Sequence, residues 1–512
     1  MSSGAGRSPL DAMTVPRVLG LHGVHLRDKP AIVEDGGAVT TFGGLYERAS
    51  AVAAALRVHG VEPGQPVGIA LQSSADYVAA VLGVMVAGAV PAPLNTRLVA
   101  GELREYLERV RPVVVLADGT APVPSVDGVA VLHLDAAGPV ASLVSAVASR
   151  TPAPPPFVEP ASADPAIAFP TGGTTGLPKA AVWSHGGLTA ALISACMPLG
   201  IGRGDVELYF SPMYHLTIVT GLLAVLYTGG SVRLLRRFDE EAVVGVLRAE
   251  AVTRFFGTPV VIERILAAGG PSLGSRTSLR SLVFGASRSG PDFPARLHAA
   301  LPSVSLMTGY GATEFGAVTR VYPDEVLRGD AGVGRPVAGV ELSIRDEDGA
   351  VLPLGAVGEV AVRSPMAMLG YLGDESPRVV DGDRIRSGDL GALDGDGHLH
   401  LHGRSSELIK TGGENVFPTE VERVVVQHAS VLDAVVYGVE DATWGERVEC
   451  AVIAAPGASL DLAALRAHCA ERLGGYKVPK RFRAVDAFPR TSTEKLDRGA
   501  LRTAALREEQ PA

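Results

Sequence analysis

Between Thr41 and about Gly311, short apolar runs alternate with stretches of helical spacing, and from Val340 the apolar residues recur at every second position. That change of period narrows the folds open to this chain more than any other feature. Thr41–Gly60 carries Leu45, Ala49, Val52 and Leu56 on one helical face and stops at Gly60. Pro66–Leu71 reads as a strand, Asp76 as the cap of a helix that Gly88 stops, Ala89–Leu94 as extended chain and Val113–Leu116 as a buried strand. Strands separated by helices imply a parallel sheet with covered faces, because parallel neighbours need a crossover between them. Thr151–Pro160, with five prolines, is a connector, and the alternation resumes after it.

Val340–Ile344, Gly358–Arg363 and His398–His402 alternate in period two, and Asp394–Gly397 reads as a hairpin turn, so this stretch is expected to be antiparallel. Beyond Arg404 a compact segment follows. Pro418 sits in the first turn of a helix with Glu420 and Glu422, and Val421, Val424 and Val425 face inward. Strands at Ala434–Tyr437 and Val448–Ala454 and a helix from Asp461 to Leu473 complete it. The last boundary falls near Gly403–Ser406, giving domains 1–403 and 404–512.

At roughly 150 residues per domain, 512 residues suggest about three domains and a large core. A net charge of −9 with no basic block argues against nucleic acid as a partner. Cys196, Cys450 and Cys469 lie far apart without ligand spacing, and the first twenty residues lack a signal-peptide core. Both point to a reducing, cytoplasmic setting. Tyr77–Leu94 and Leu208–Val232 are apolar enough to resemble membrane spans, but their glycines, prolines and polar residues make buried helix-to-strand segments the better reading. His398, His400 and His402 share a strand face and read as a solvated hairpin face rather than a metal site.

Thr171-Gly-Gly-Thr-Thr-Gly-Leu-Pro-Lys179 is not a Walker loop, because the lysine follows Gly176 too late and no Ser or Thr follows it. Its logic is still that of a phosphate clamp. Gly172, Gly173 and Gly176 let backbone N–H groups turn toward one anion, Thr171, Thr174 and Thr175 add hydroxyls, and Lys179 adds charge.

Four further segments accompany it: Thr308-Gly-Tyr-Gly-Ala-Thr-Glu314, Arg386-Ser-Gly-Asp389, Gly403-Arg404 with Lys410-Thr-Gly-Gly-Glu-Asn415, and Pro489-Arg-Thr-Ser-Thr-Glu-Lys495. In their order and spacing, over about residues 40 to 500, they resemble the adenylate-forming superfamily, in its acyl- and aryl-CoA synthetase branch. The resemblance implies an α/β fold class: a large N-terminal domain of two α/β sheet subdomains plus a small distorted β-barrel, then a small mobile α+β C-terminal domain hinged near Ser406. It implies ATP (leaving AMP), Mg²⁺ and coenzyme A as cofactors.

Roles follow by position. The clamp would hold the ATP phosphates. Gly285, Ala286 and Ser287 would line the adenine, with Thr308, Gly309, Gly311 and Ala312 around Tyr310, which would stack on it. Thr313 would touch the α-phosphate and Glu314 would hold the metal. Asp389 would accept from the ribose hydroxyls, Arg404 would lie by ribose and phosphate, and Lys495 would bridge the acid and the α-phosphate. Lys495, Glu314, Thr174 and His215 are the implied catalytic set.

Met213-Tyr214-His215 matches the segment that gates the acyl site, and Leu216 stands where amino-acid-activating domains place an aspartate for the ammonium group. Leucine there implies a carboxylic acid without an α-amine. Tyr214, Thr220 and Phe284 are expected to line its pocket. Gly412, Gly413 and Glu414, with Trp444 and Lys480, are expected at CoA; Trp444 as plain core is the competing reading. An acyl-AMP ligase loading a carrier protein and a non-catalytic acyl-adenylate sensor are the rival functions.

Three positions depart from the family pattern: Gly172 for Ser or Thr, Ala180 for Gly, and Glu494 for the Gly before the lysine. A carboxylate at ~7 Å from each reacting charge, at an effective dielectric of ~20–40, is worth roughly 1–2 kcal/mol per pair, about tenfold in rate. Two readings stay open: Glu494 points to solvent and both halves work, or the adenylation half is impaired beside a sound thioester half that a separate adenylating enzyme feeds with acyl-adenylate.

Overall fold

The computed structural model describes residues 9–135, 138–147, 159–171, 179–270, 273–275, 277–287, 289–290, 292–373, 379–380, 384–490 and 496–508. Contacts divide the chain into two units: Met1–Glu341 with Val362–Ile385, and Leu342–Ala361 with Arg386–Ala512. The expected boundary after residue 403 and the hinge at Ser406 fall inside the second unit, at the short helical turn Ser405–Glu407.

In the first, larger unit the alternation becomes two sheets. Val90–Pro93, Pro66–Ala70, Val114–Ala117 and Ala130–His133 pair in parallel in that order. Ser305–Met307, Ser281–Phe284, Arg254–Gly257, Val206–Tyr209, Ser231–Leu234 and Pro30–Val33 form a second parallel array, edged by the antiparallel strand Val39–Thr41. Thr41 caps the helix Phe42–Val58 by accepting from the Gly44 N–H at 3.1 Å. Leu45, Ala49, Val52 and Leu56 are all buried. The following helix, Ala75–Val86, comes so close that a Cβ on Gly83 would meet the Val52 Cβ at 2.5 Å, so only glycine fits. Ser74 caps this helix, accepting from the Tyr77 N–H at 3.1 Å. Asp76, expected as the cap, lies two residues past it and instead binds Arg48 at 2.8 Å.

The two apolar runs resolve into helix Ala75–Val86 with strand Val90–Pro93, and into a π-helical turn Ile218–Leu223 set between strands. Among the described residues no helix is long and apolar enough to cross a membrane.

Pro165–Thr171, Lys179–Ser184 and Gly370–Tyr371 make a small antiparallel sheet. His185 follows it, opening the helix His185–Leu199; it is buried and its Nδ1 has no hydrogen-bond partner. Burial lowers its pKa to about 4, against a smaller opposing pull from Asp164. In the unfolded chain histidine titrates near ~6.5. As pH falls the unfolded state therefore takes the proton first. The neutral ring's contribution is complete above about 6.5 and is lost between there and about 4, by about 3 kcal/mol in all. Denaturant unfolding across that window should show the fall, and His185→Gln should flatten it by a similar amount. An equal pH slope in the variant would overturn the assignment.

The second unit holds the sheet of Glu414–Val416, Ile409–Thr411, Gly445–Ala454, Val431–Asp441 and Arg481–Ala484. Pro418–Val425 is helical as expected and buries Val421, Val424 and Val425 in the core of this unit. Glu422 does not merely decorate the helix start. It is buried, accepts from the Val436 N–H at 3.0 Å and pairs with Arg498 at 2.7 Å. The histidine strand also differs from expectation. His398 is buried, and His398 and His400 both contact the Asp394 carboxylate, at 3.2 and 2.8 Å. The three cysteines are free.

Candidate active site

The clamp is the connection of a β-hairpin. Thr171 and Lys179 face each other as the last antiparallel pair. Gly172, Gly173, Thr174, Thr175 and Gly176 between them lie outside the described residues. Ala180 is fully buried beside Ala168 and Val182 in a hydrophobic cluster. Its methyl is turned by strand alternation away from the side that bears Lys179, so this departure is a packing choice.

Lys179 meets a residue that sequence reasoning missed. Its Nζ lies 4.7 Å from the ring centroid of Tyr371. The Tyr371 hydroxyl donates to Glu314 Oε1 at 3.1 Å. Tyr371 reaches this place because its strand pairs with the hairpin, opposite Ala181. Two more bonds fix the stretch around Glu314. The buried Trp183 donates its indole N–H to the Thr313 carbonyl at 2.7 Å, and the Met368 N–H donates to the Glu314 carbonyl at 2.9 Å. One cation and one carboxylate are thus held through a single tyrosine.

The expected nucleotide loop, residues 308–314, turns back on itself tightly. A Cβ on Gly309 would lie 2.2 Å from the Thr319 carbonyl oxygen, and one on Gly311 2.4 Å from that of Gly316. Thr308 bridges Val321, and Ala312 pairs with Gly316. Tyr310 donates its N–H to Thr319 Oγ1 at 3.2 Å, and its ring lies 6.0 Å from that of Phe315. At the end of the strand Ser281–Phe284, Gly285 is buried, while Ala286 and Ser287 are exposed. Ala286 takes φ +63°, a conformation that a residue with a Cβ rarely adopts and that clusters at functional loops.

In the acyl segment Tyr214 and Leu216 are half-buried and His215 is exposed. Thr220 lies in the π-helical turn, a device common at functional sites. Phe284 does not join them. Its ring packs on Phe293, centroids 5.3 Å apart, in the helix-covered core with Leu282 and Phe255. Strand alternation sends it to the opposite face.

In the second unit, Asp389 is buried and paired with Arg404 Nε at 3.2 Å. The two expected ribose residues are therefore brought together. Trp444 is 46% exposed, which removes the plain-core reading. Lys480 Nζ lies 5.6 Å from its ring centroid, and the Gly412 N–H donates to the Trp444 carbonyl at 2.8 Å. A Cβ on Gly412 would come within 3.0 Å of the indole. Gly413 and Glu414 beside it are exposed. Glu494 and Lys495 lie outside the described residues, but their flanks are fixed: Arg490 bridges Leu496, and the Asp497 N–H donates to the Pro489 carbonyl at 2.9 Å.

The AMP-binding enzyme model matches residues 23–372, and the model of the AMP-binding enzyme C-terminal domain matches 420–495. The chain belongs to the AMP-binding enzyme family. Its relatives include the feruloyl-CoA synthase of an Amycolatopsis species, 31% identical over 92% of this chain and 95% of that one. They also include the fatty acid–[acyl-carrier-protein] ligase ScoC of Streptomyces coeruleorubidus, 30% identical over 96% of each. The o-succinylbenzoate CoA synthetase of Bacillus subtilis, solved with its acyl-adenylate intermediate, superposes with a TM-score of 0.83 at 26% identity, covering 94% of this chain and 97% of that one. This AMP-binding enzyme has the mixed α/β fold of that class, a large N-terminal part followed by a small C-terminal one.

AMP-binding enzymes use Mg²⁺ with ATP. Among the described residues no three His, Cys, Asp or Glu gather as an ion cage. Magnesium does not need one, since it takes one or two carboxylates plus substrate phosphates and water. Glu314, its carboxylate oriented by Tyr371, supplies such a ligand, so the residues present fit the ion.

Proposed function

We propose that this acid–thiol ligase activates a carboxylic acid lacking an α-amine as its acyl-adenylate and passes the acyl group to CoA. The observation that carries this reading is the Lys179–Tyr371–Glu314 arrangement beside the clamp strands. Bringing a carboxylate to an α-phosphate joins two anions, so the task is charge neutralisation and alignment rather than general-base catalysis. Lys179 and the clamp N–H groups would hold the outer phosphates. Glu314 would hold the magnesium ion, which supplies positive charge to the phosphate oxygens when bound. Lys495 would align the acid's carboxylate oxygen with the α-phosphorus; that O–P bond forms as pyrophosphate leaves. In the second half the CoA sulfur bonds to the acyl carbon and AMP leaves. Leu216 offers no anion to an ammonium group, which supports an acid without one. The exposed Trp444, flanked by Lys480, suits stacking on the adenine of CoA. Three free cysteines suit a reducing cytoplasm.

A finer reading rests on Glu494, which stands next to Lys495. A carboxylate next to that lysine in sequence would draw on its charge and repel incoming phosphate, so adenylation would be the weaker half and the enzyme would work mainly on acyl-adenylate made by a separate enzyme. One experiment tests both levels. The purified chain receives a panel of free acids with ATP and Mg²⁺, or their synthetic adenylates, with CoA or a holo-carrier protein as thiol. CoA thioester is expected in both arms, at least about tenfold faster from the adenylates, with Glu494→Gly raising the ATP arm. Equal rates in the two arms overturn the finer reading. Preference for the carrier protein, or adenylate binding without turnover, overturns the CoA ligase.

A further inference from the structure

The short antiparallel ladder of Thr319–Arg320 and Arg335–Pro336, which follows the expected nucleotide loop, contains a buried positive charge that pairs with no carboxylate among the described residues. Arg320, which closes the short strand Thr319–Arg320, is 7% exposed. Its Nε has no hydrogen-bond partner, and its Nη1 contacts the sulfur of Met307 at 3.8 Å, a weak acceptor. Burial lowers its pKa most; the nearby Tyr322 phenol opposes that shift, and Arg254, of like sign, adds to it. Arg254 is 3% exposed; its Nε donates to Glu207 Oε2 at 2.6 Å while its Nη1 has no partner. Glu207 is fully buried, and its Oε1 likewise has none. Arg254 thus stands between one buried carboxylate, Glu207, and a second buried guanidinium, Arg320, an arrangement that is costly unless another anion completes it.

The cluster's place says which anion. Arg254 and Glu207 are register partners on adjacent strands, and two residues along from Glu207 is Tyr209, whose hydroxyl lies 3.4 Å from Thr217. A Cβ on Gly221 would sit 3.0 Å from Glu207 Oε1 and 3.6 Å from the Tyr209 ring. Gly221 follows Thr220 in the π-helical turn just past Met213–His215. Met307, which Arg320 touches, immediately precedes Thr308. The three charges therefore lie between the acyl segment and the nucleotide loop, on the face opposite the apolar core of Leu208, Phe255 and Leu306.

We propose that Arg320 and Arg254 form the subsite for the far end of the acid, and that the acid carries a second anionic group there, a carboxylate or a sulfonate. This rests on the reading of the chain as an acid-activating ligase. One added negative charge brings the cluster to neutrality. The guanidinium fork matches the paired oxygens of either anion. An uncharged tail leaves the buried donors unpaired, and sites built to hydrogen-bond a group reject analogues that lack it far more strongly than apolar pockets reject a missing methylene.

The test gives the full chain, with ATP, Mg²⁺ and CoA, a series of straight-chain α,ω-dicarboxylic and ω-sulfocarboxylic acids, each beside the monocarboxylic acid of the same length. At least one dianion should exceed its monocarboxylic partner by about 100-fold in kcat/KM. Arg320→Met should cost that dianion about 100-fold, chiefly in KM, and should raise the monocarboxylic acid severalfold. Arg320→Lys, which keeps the charge without the fork, should retain part of the preference. The favoured dianion should raise the Tm of the wild-type chain and not that of Arg320→Met. Success with dicarboxylic acids alone or sulfo acids alone identifies the anion. Equal kcat/KM within every pair, or equal losses for both acids in Arg320→Met, overturns the subsite. Thioester from no acid and no adenylate overturns the ligase reading instead; the melting shift then still decides the subsite, and no shift with any dianion refutes it.

Discussion

Replacing Glu314 with glutamine should slow ATP-dependent adenylation about 10²–10³-fold, while thioester formation from a supplied acyl-adenylate stays close to wild type. The substitution keeps the length and shape of the side chain and can keep the contact to the Tyr371 hydroxyl, 3.1 Å away. On the proposed reading it removes the negative charge that the metal requires, a charge that matters only while polyphosphate is bound. Tyr371→Phe acts one step further out. It deletes the hydroxyl but leaves the ring under Lys179, whose Nζ is 4.7 Å from its centre. A hydrogen bond to a charged group is worth roughly 1.5–3 kcal/mol, so about a tenfold rise in the magnesium concentration needed for half-maximal exchange is expected. ATP–pyrophosphate exchange measures the first half, and CoA release from acyl-AMP measures the second. Equal losses in both halves would point to a damaged fold and defeat the assignment.

Glu422→Ala should destabilise the chain by about 1–3 kcal/mol, because it leaves the buried Val436 N–H without its acceptor and takes one of two carboxylates from Arg498. Glu422 is 5% exposed and joins three segments: its own helix, the Val436 N–H at 3.0 Å and Arg498 at 2.7 Å. Arg498 also pairs with Glu407 at 3.0 Å and donates to the Val436 carbonyl at 3.2 Å. It opens the helix Arg498–Arg507, three residues past Lys495. Loosening it frees the segment that carries the lysine, so the variant should also lose adenylation before it loses thioester formation. Urea unfolding of Glu422→Ala and Glu422→Gln reads the stability. A loss below about 1 kcal/mol in the alanine variant would mean that the pair is replaceable.

The elements that were legible in the sequence are those set by local rules. The helix Phe42–Val58 follows from apolar spacing and a threonine cap, and the glycines of the nucleotide loop follow from backbone approaches no Cβ would survive. What escaped was set by pairing between distant segments. Tyr371 lies in a two-residue strand with no motif around it, and only its register opposite Ala181 brings it to Glu314. Phe284 stands next to Gly285 in sequence, yet alternation carries its ring to the other side of the sheet. Glu422 reads as a favourable charge in a helix's first turn until the strand Val431–Asp441 and Arg498 enclose it. Nothing in the spacing of Glu207, Arg254 and Arg320 predicts that strand register pairs the first two or that the third lies near Arg254.

The hairpin that ends in Thr171 and Lys179 is anchored from several sides: by strand pairing, by the third strand at Tyr371 and by the Trp183 bond to Thr313. Its footing is therefore independent of what residues 172–178 happen to be. On the proposed reading, affinity for the polyphosphate is then set largely by one short cassette, open to exchange between kindred chains or to randomisation, with the scaffold left to hold its shape.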